Sequence, residues 1–208
     1  MTSSPAPVLN RRSIARTALN LMDRDGFAAF SLPRLGDELG VRTPSLYHHF
    51  RDRADVLEEV AKTIVLDTEV PETIPGEPWP EYFVKFSLNF RRTILRHRRA
   101  APVLLQFLPR GMLLRRYEIV ASQVAQHPDV PDRRHLLFMD GLEKLTLGSA
   151  LVEAVALDGP RDNPFPTANE DEHPALMAAI RANELDAERL FVDQIRAFLA
   201  GVPVLDVT

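Results

Sequence analysis

The sequence predicts an all-α chain. Three observations lead there: apolar residues recur at helical spacing in segment after segment, strand-like alternation is missing, and Gly and Pro fall at the ends of the periodic segments. With 208 residues, 45% hydrophobic and 26% charged, the length suits one large domain or two small ones.

The first helix is expected from about Asn10 to Asp25, with Ile14, Ala18, Leu21 and Met22 on one side and Gly26 as its stop. A second begins at Ser31, whose hydroxyl suits an N-cap. Pro33 follows in the first turn, where its missing N–H costs nothing. Leu32, Leu35 and Leu39 form its apolar stripe, and Gly40 supplies the left-handed stop. Thr43 and Pro44 restart a third helix as N-cap and N1. Leu46 and Phe50, four apart, face inward, so Thr43, Ser45, Tyr47 and His48 point away from the core. Asp52 then caps a long connecting helix through Leu57, Val60, Ile64 and Val65, with Asp55 in a capping-box-like position.

Two short helices joined by a Gly turn, behind a longer one, have the layout of a helix-turn-helix that reads DNA. The outward set suits a major groove: Thr and Ser hydroxyls meet base edges or phosphates, and Tyr47 offers a rigid ring with a polar tip. The expected DNA-facing residues are Arg34, Arg42, Thr43, Pro44, Ser45, Tyr47, His48, His49, Arg51 and Arg53, with the last two Arg and Arg42 on phosphates. Residues 1–53 hold eight Arg against five Asp or Glu, a net +3, while the whole chain stands at −4. A small positive footprint on an otherwise acidic body fits a specific duplex reader better than a general nucleic-acid coat.

Composition narrows the rest. Zero Cys removes disulfides, zinc fingers and thiol catalysis. No apolar run approaches a membrane span, and the first residues lack the basic start and apolar core of a signal peptide, so a cytoplasmic protein is expected, without a membrane partner. Residues 1–9 read as a disordered tail, 10–53 as the DNA-binding domain and 54–202 as a helical ligand-binding and dimerisation domain.

Beyond the Pro-rich stretch Val70–Pro78, further helices are expected at 79–99, 103–108, 112–126, 132–157, 175–183 and 186–200. In the helix at 132–157, Gly141, Leu145, Gly148 and Val152 form one stripe whose small residues let another helix approach closely. The final helix adds Leu190, Ile195 and Phe198 as apolar surface. No nucleophile elbow or phosphate loop accompanies His97, His127 and His135, which leaves an enzyme unsupported. The Arg-rich run Arg91, Arg92, Arg96, Arg98, Arg99 reads first as a solvated or salt-bridged face, and Asn169–His173 as an acidic loop, with no cofactor or metal expected.

Three segments, Ala18–Phe27, Leu35–Val41 and Thr43–Leu57, resemble the TetR family of ligand-controlled transcriptional repressors. Phe90–Arg98 and Leu145–Ser149 are more weakly similar to the tetracycline-repressor type of effector domain. The resemblance implies a homodimer joined through the helices carrying the Gly141 stripe and Leu190, Ile195 and Phe198, a double-stranded operator, and a small-molecule effector. The expected lining of the effector pocket is Phe83, Phe86, Asn89, Phe90, Leu104, Phe107, Met112, Tyr117, Phe138 and Met139, with filling of the core by the same side chains as the alternative. Glu69, Phe86 and Leu104 stand where the tetracycline-repressor type uses His, Asn and His for magnesium–tetracycline, which argues against that inducer and for a hydrophobic or aromatic one. Pro33 stands where that type reads a guanine with Arg.

Overall fold

The computed structural model describes residues 9–108, 110–128, 130–155, 165 and 167–202. Among them the regular elements are all helical: α1 (Arg11–Asp25), α2 (Leu32–Leu39), α3 (Thr43–Leu46), α4 (Arg53–Leu66), α5 (Trp79–Arg96), α6 (Val103–Phe107), α7 (Leu114–Val124), α8 (His135–Val155), α9 (Pro174–Ala182) and α10 (Ala187–Gly201). Short 3₁₀ turns stand at Phe27–Ala29 and ahead of α7 and α8. The expected N-terminal tail and most of the loop after α8 lie outside the described residues, and no described helix is long and apolar enough to cross a membrane.

The chain forms two compact units. The first joins residues up to Thr68 with Thr93–Tyr117; the second joins Glu69–Arg92 with the residues from Glu118 onward. In the first unit α1 packs on α2 and α4, α2 on α3, and α4 on α6. Ile14, Ala18, Met22, Leu35, Leu46, Val56, Val60 and Ile64 are buried there, so the inward stripes read from the sequence do meet. In the second unit α8 packs on α10, and Phe83, Phe138, Phe191, Ile195 and Leu199 make the centre of one apolar cluster.

Local chemistry sets the helix ends. Asn10 and Ser13 form a reciprocal capping box at α1, Ser31 caps α2, and Asp52 accepts the Asp55 N–H at 2.9 Å to start α4. Three of the ends that depart from expectation do so for a visible reason. The cap of α3 is Arg42, without a side-chain bond, so Thr43 and Pro44 are its first two helical residues. The Asp55 carboxylate does not complete a box with the Asp52 N–H; it accepts the Arg51 N–H at 2.9 Å instead. Helix α5 ends at Arg96 rather than Arg99, because His97 and Arg99 turn back to pair with Asp23 and the Arg24 carbonyl of α1.

Candidate functional site

The turn between α2 and α3 is closed by a backbone bond from Val41 N to Gly36 O at 2.9 Å, and Gly40 adopts the left-handed conformation at φ 69°. A Cβ on Gly36 would lie 2.9 Å from the Val41 carbonyl oxygen and 3.4 Å from Thr43 N. The two helices therefore approach as closely as they do only because position 36 lacks a side chain. Leu46 and Phe50 anchor α3 and the turn after it in the core. That leaves Arg42, Pro44, Tyr47 and His48 exposed, Tyr47 by 54%, with Thr43, Ser45 and His49 half-buried beside them.

The arginines divide by what already holds them. Arg51 is the most loosely held, its side chain 81% exposed and its Nε 3.6 Å from Asp55 Oδ2. Arg53 lies over the Phe30 ring at 5.5 Å and the Phe27 ring at 6.0 Å, so its stem is partly committed to packing. Arg34 is tied to Asp25 at 2.5 Å and to the Ala29 carbonyl at 2.9 Å, which fastens α2 to the turn after α1. Arg11 escaped the sequence reading. From the first turn of α1 it binds the His49 carbonyl at 2.6 Å and the Asp55 carboxylate at 2.6 and 3.2 Å. The guanidinium and the Arg51 N–H hold the Asp55 carboxyl at about 2, below its ordinary 3.8. No local pattern announces a contact between residues 44 positions apart.

The expected effector residues are spread over both units. In the second, Phe83 and Phe138 are fully buried with ring centres 4.7 Å apart, edge to face, and Met139 packs on the same cluster. Phe86, Asn89 and Phe90 are half-buried, and Asn89 donates to the Glu69 carbonyl at 3.2 Å. In the first unit Leu104 is buried on α6, Phe107 and Tyr117 are half-buried, and Met112 is exposed. A buried polar cluster in the second unit was not foreseen as such. Arg91, 3% exposed, pairs with Glu153, donates to Ser149 Oγ at 3.4 Å and lies 5.3 Å over the Phe191 ring. One turn earlier, the buried Ser87 Oγ has no hydrogen-bond partner among the described residues. The salt-bridged reading of the Arg run fits Arg91 and also Arg92, which pairs with Glu188. Asn169 caps a turn through the Glu172 N–H, and Glu170 pairs with Arg181.

The Gly141 stripe divides in two. A Cβ on Gly141 would meet Phe198 Cζ of the same chain at 2.5 Å, so Gly141 and Phe198 serve packing between α8 and α10. Ile195 is fully buried in that core and has no surface left for a partner, a correction to its expected place at an interface between chains. A Cβ on Gly148, by contrast, would meet nothing within 4 Å among the described residues, and Leu145, Val152 and Leu190 are exposed, Val152 by 74%. His127 stacks on Trp79 at 5.1 Å, and His135 Nε2 lies 3.0 Å from the Val130 carbonyl, so each has a structural partner.

Comparison with known proteins gives consistent matches. Residues 14–60 match the model of the bacterial regulatory proteins of the tetR family. The chain is 26% identical over 202 residues to the class D tetracycline repressor protein of Escherichia coli, covering 94% of this chain and 90% of that protein. Apo ActR of Streptomyces coelicolor superposes with a TM-score of 0.76 at 25% identity, over 98% of this chain and 97% of that one. The same protein in complex with actinorhodin gives 0.76 at 24% identity, over 94% and 96%, a likeness of fold.

Proposed function

Because this chain belongs to the TetR family of bacterial transcriptional regulators, we propose that it is a repressor. In this reading it binds a palindromic operator as a homodimer and is released by a small hydrophobic or aromatic molecule. The observation that carries the reading is the helix-turn-helix of residues 31–50, whose core side is sealed by Leu46 and Phe50 while Arg42, Pro44, Tyr47 and His48 stand clear. Arg42, Arg51 and Arg53 supply phosphate contacts, with Thr43, Ser45, His49 and Arg34 at the edge of the footprint. One recognition helix per chain reads a half-site, so two chains are needed for a palindrome, and the bare face of Leu145, Gly148, Val152 and Leu190 supplies the surface that joins them.

For the effector, ActR bound to actinorhodin is the supporting precedent. The half-buried Phe86 and Phe90 of the second unit offer apolar surface, and Glu, Phe and Leu at positions 69, 86 and 104 provide no His–Asn–His set for a magnesium–tetracycline chelate. A ligand-independent regulator is the competing reading, favoured at one point by the edge-to-face pairing of Phe83 with Phe138. Selection of a randomised duplex library by the purified chain, followed by a screen of apolar and aromatic compounds for release of the enriched duplex, tests both halves. A palindromic consensus and compound-dependent release are expected. No enrichment overturns the operator; enrichment without any releasing compound favours the ligand-independent reading.

A further inference from the structure

We propose that Arg11 is the positioning residue that orients the recognition segment, and that it sets discrimination between operator and other DNA without itself touching the duplex. The inference rests on the DNA-reading role of residues 42–48. Helix α3 has only four helical residues and no side-chain cap. Its continuation is closed by backbone bonds from Tyr47, His48 and His49 to the residues three before each. A segment so short has almost no helical stability of its own, so the direction of Tyr47 and His48 depends on what holds its two ends. Gly36 and the Val41 bond hold the first. Arg11 holds the second.

Its guanidinium is already engaged, although the side chain is 41% exposed. Nη1 donates to the His49 carbonyl at 2.6 Å and to Asp55 Oδ2 at 3.2 Å; Nη2 donates to Asp55 Oδ1 at 2.6 Å and to Glu59 Oε2 at 3.4 Å. All four Nη hydrogens thus have acceptors, and the planar face lies 4.2 Å over the Phe50 ring. The fork joins three elements at one point: the start of α1, the carbonyl just past Tyr47 and His48, and the first turn of α4. Asp55, 6% exposed, is the fixed post for this fork, because it also accepts the Arg51 N–H at 2.9 Å. Lys has one compact charge and no planar fork, so it cannot hold the carbonyl and both carboxylate oxygens together.

The test measures binding of Arg11→Lys and Arg11→Ala to the duplex enriched by the wild-type chain and to a scrambled duplex, across a salt series. Positioning predicts at least a roughly tenfold loss on the enriched duplex, a change below about threefold on the scrambled one and an unaltered salt slope. An equal loss on both duplexes with a slope lower by about one identifies a phosphate contact and overturns the inference, as does unchanged discrimination. The double variant Arg11→Met with Asp55→Leu replaces the half-buried pair by apolar side chains, an exchange that often leaves stability intact. It should melt near the wild type yet remain undiscriminating, since the His49 carbonyl still lacks its donor. If discrimination returns with stability, Arg11 is merely structural and the inference fails. A wild-type chain that enriches no duplex is a separate result, which overturns the operator reading and this inference with it.

Discussion

Replacing Gly36 by Ala should both loosen the helix-turn-helix and weaken operator binding. Two effects of opposite sign compete. Ala is better than Gly in a helix by about 1 kcal/mol. The new methyl, however, would sit 2.9 Å from the Val41 carbonyl oxygen and 3.4 Å from Thr43 N. Both are backbone atoms, so no side chain can swing away. Relief has to come from lengthening the Val41 to Gly36 bond, now 2.9 Å. Overpacking of this kind costs about 1–3 kcal/mol, and the backbone identity of the atoms places it toward the upper end. The net is a loss of about 1–2 kcal/mol, or a melting point lower by roughly 2–8 °C for a chain of this size. Binding should fall by more than stability does, because the same displacement moves Thr43, Pro44 and Ser45 relative to α2. Circular dichroism melts and fluorescence anisotropy on the enriched duplex read the two effects. Gly201→Ala, in α10 and outside the proposed seam, where a Cβ would meet nothing within 4 Å among the described residues, is the matched control and should not lower the melting point. A Gly36→Ala chain that melts at or above the wild type and binds equally well refutes the close-approach argument.

Tyr47→Ala should weaken binding to the enriched duplex by about 1–3 kcal/mol with an unchanged melting curve, since its ring is more than half exposed; equal affinity removes it from the interface. Val152→Glu should convert a dimer to a monomer in micromolar sedimentation runs and abolish tight operator binding, whereas a dimer that persists moves the interface off α8. Arg91→Met strips the partner from Glu153 in a largely buried pair and should cost about 3 kcal/mol or more of stability; a neutral result would mean that Glu153 reaches water. Asp55 titrates at about 2 in the fold against an ordinary 3.8, so its contribution is present above about pH 4 and lost as pH falls toward 2. At 1.36 kcal/mol per pKa unit this is roughly 2 kcal/mol, and Asp55→Asn should flatten that acid limb of the stability profile. Asp67, lowered by its bond to Arg16, should leave a residual limb of the same sign.

How much of this was legible in the sequence follows from the range of the forces involved. Ser31, Pro33, Gly40, Asp52 and Asp186 act within three or four residues, and the helix ends they define stand within a residue or two of expectation. Periodicity likewise delivered Leu46 and Phe50 to the core. Contacts between distant segments were not legible. Gly36 reads as an ordinary interior glycine until Val41 folds over it, and Arg11 as a surface charge until Asp55 arrives 44 residues later. Of the Gly141 stripe only Gly141 itself meets a close neighbour, while Gly148 meets none among the described residues, and spacing alone cannot distinguish the Phe198 of its own chain from a partner. The aromatic repeat along α5 carries the same ambiguity, since core and cavity wall favour the same side chains.

The contacts of α4 bear on how a ligand would act. Arg11 grips Asp55 in the first turn of α4, and Arg16, from the same α1, holds Asp67 just past its end at 2.5 and 2.9 Å. Arg116 reaches the Leu66 carbonyl at 3.1 Å and the Thr68 carbonyl at 3.4 Å, closing the C-terminal end. With charge-assisted bonds at both ends, α4 cannot slide along α1 without breaking them, so any tilt that separates two recognition helices must carry α1, α2 and α3 along as one body. Shifting such an equilibrium from 1:99 to 99:1 takes about 5.5 kcal/mol of differential ligand affinity. Breaking those bonds would add to that requirement, whereas rigid movement does not. The chain contains no Cys, so a pair introduced as Arg16→Cys and Asp67→Cys can be bridged cleanly by a short bifunctional thiol reagent. If the head moves as one body, the bridged dimer should release the enriched duplex at the same concentration of the screened compound as the unbridged variant. Release that disappears on bridging, and returns with an uncoupled monofunctional thiol reagent, would show that α4 shifts against α1 and that the rigid-head argument is wrong.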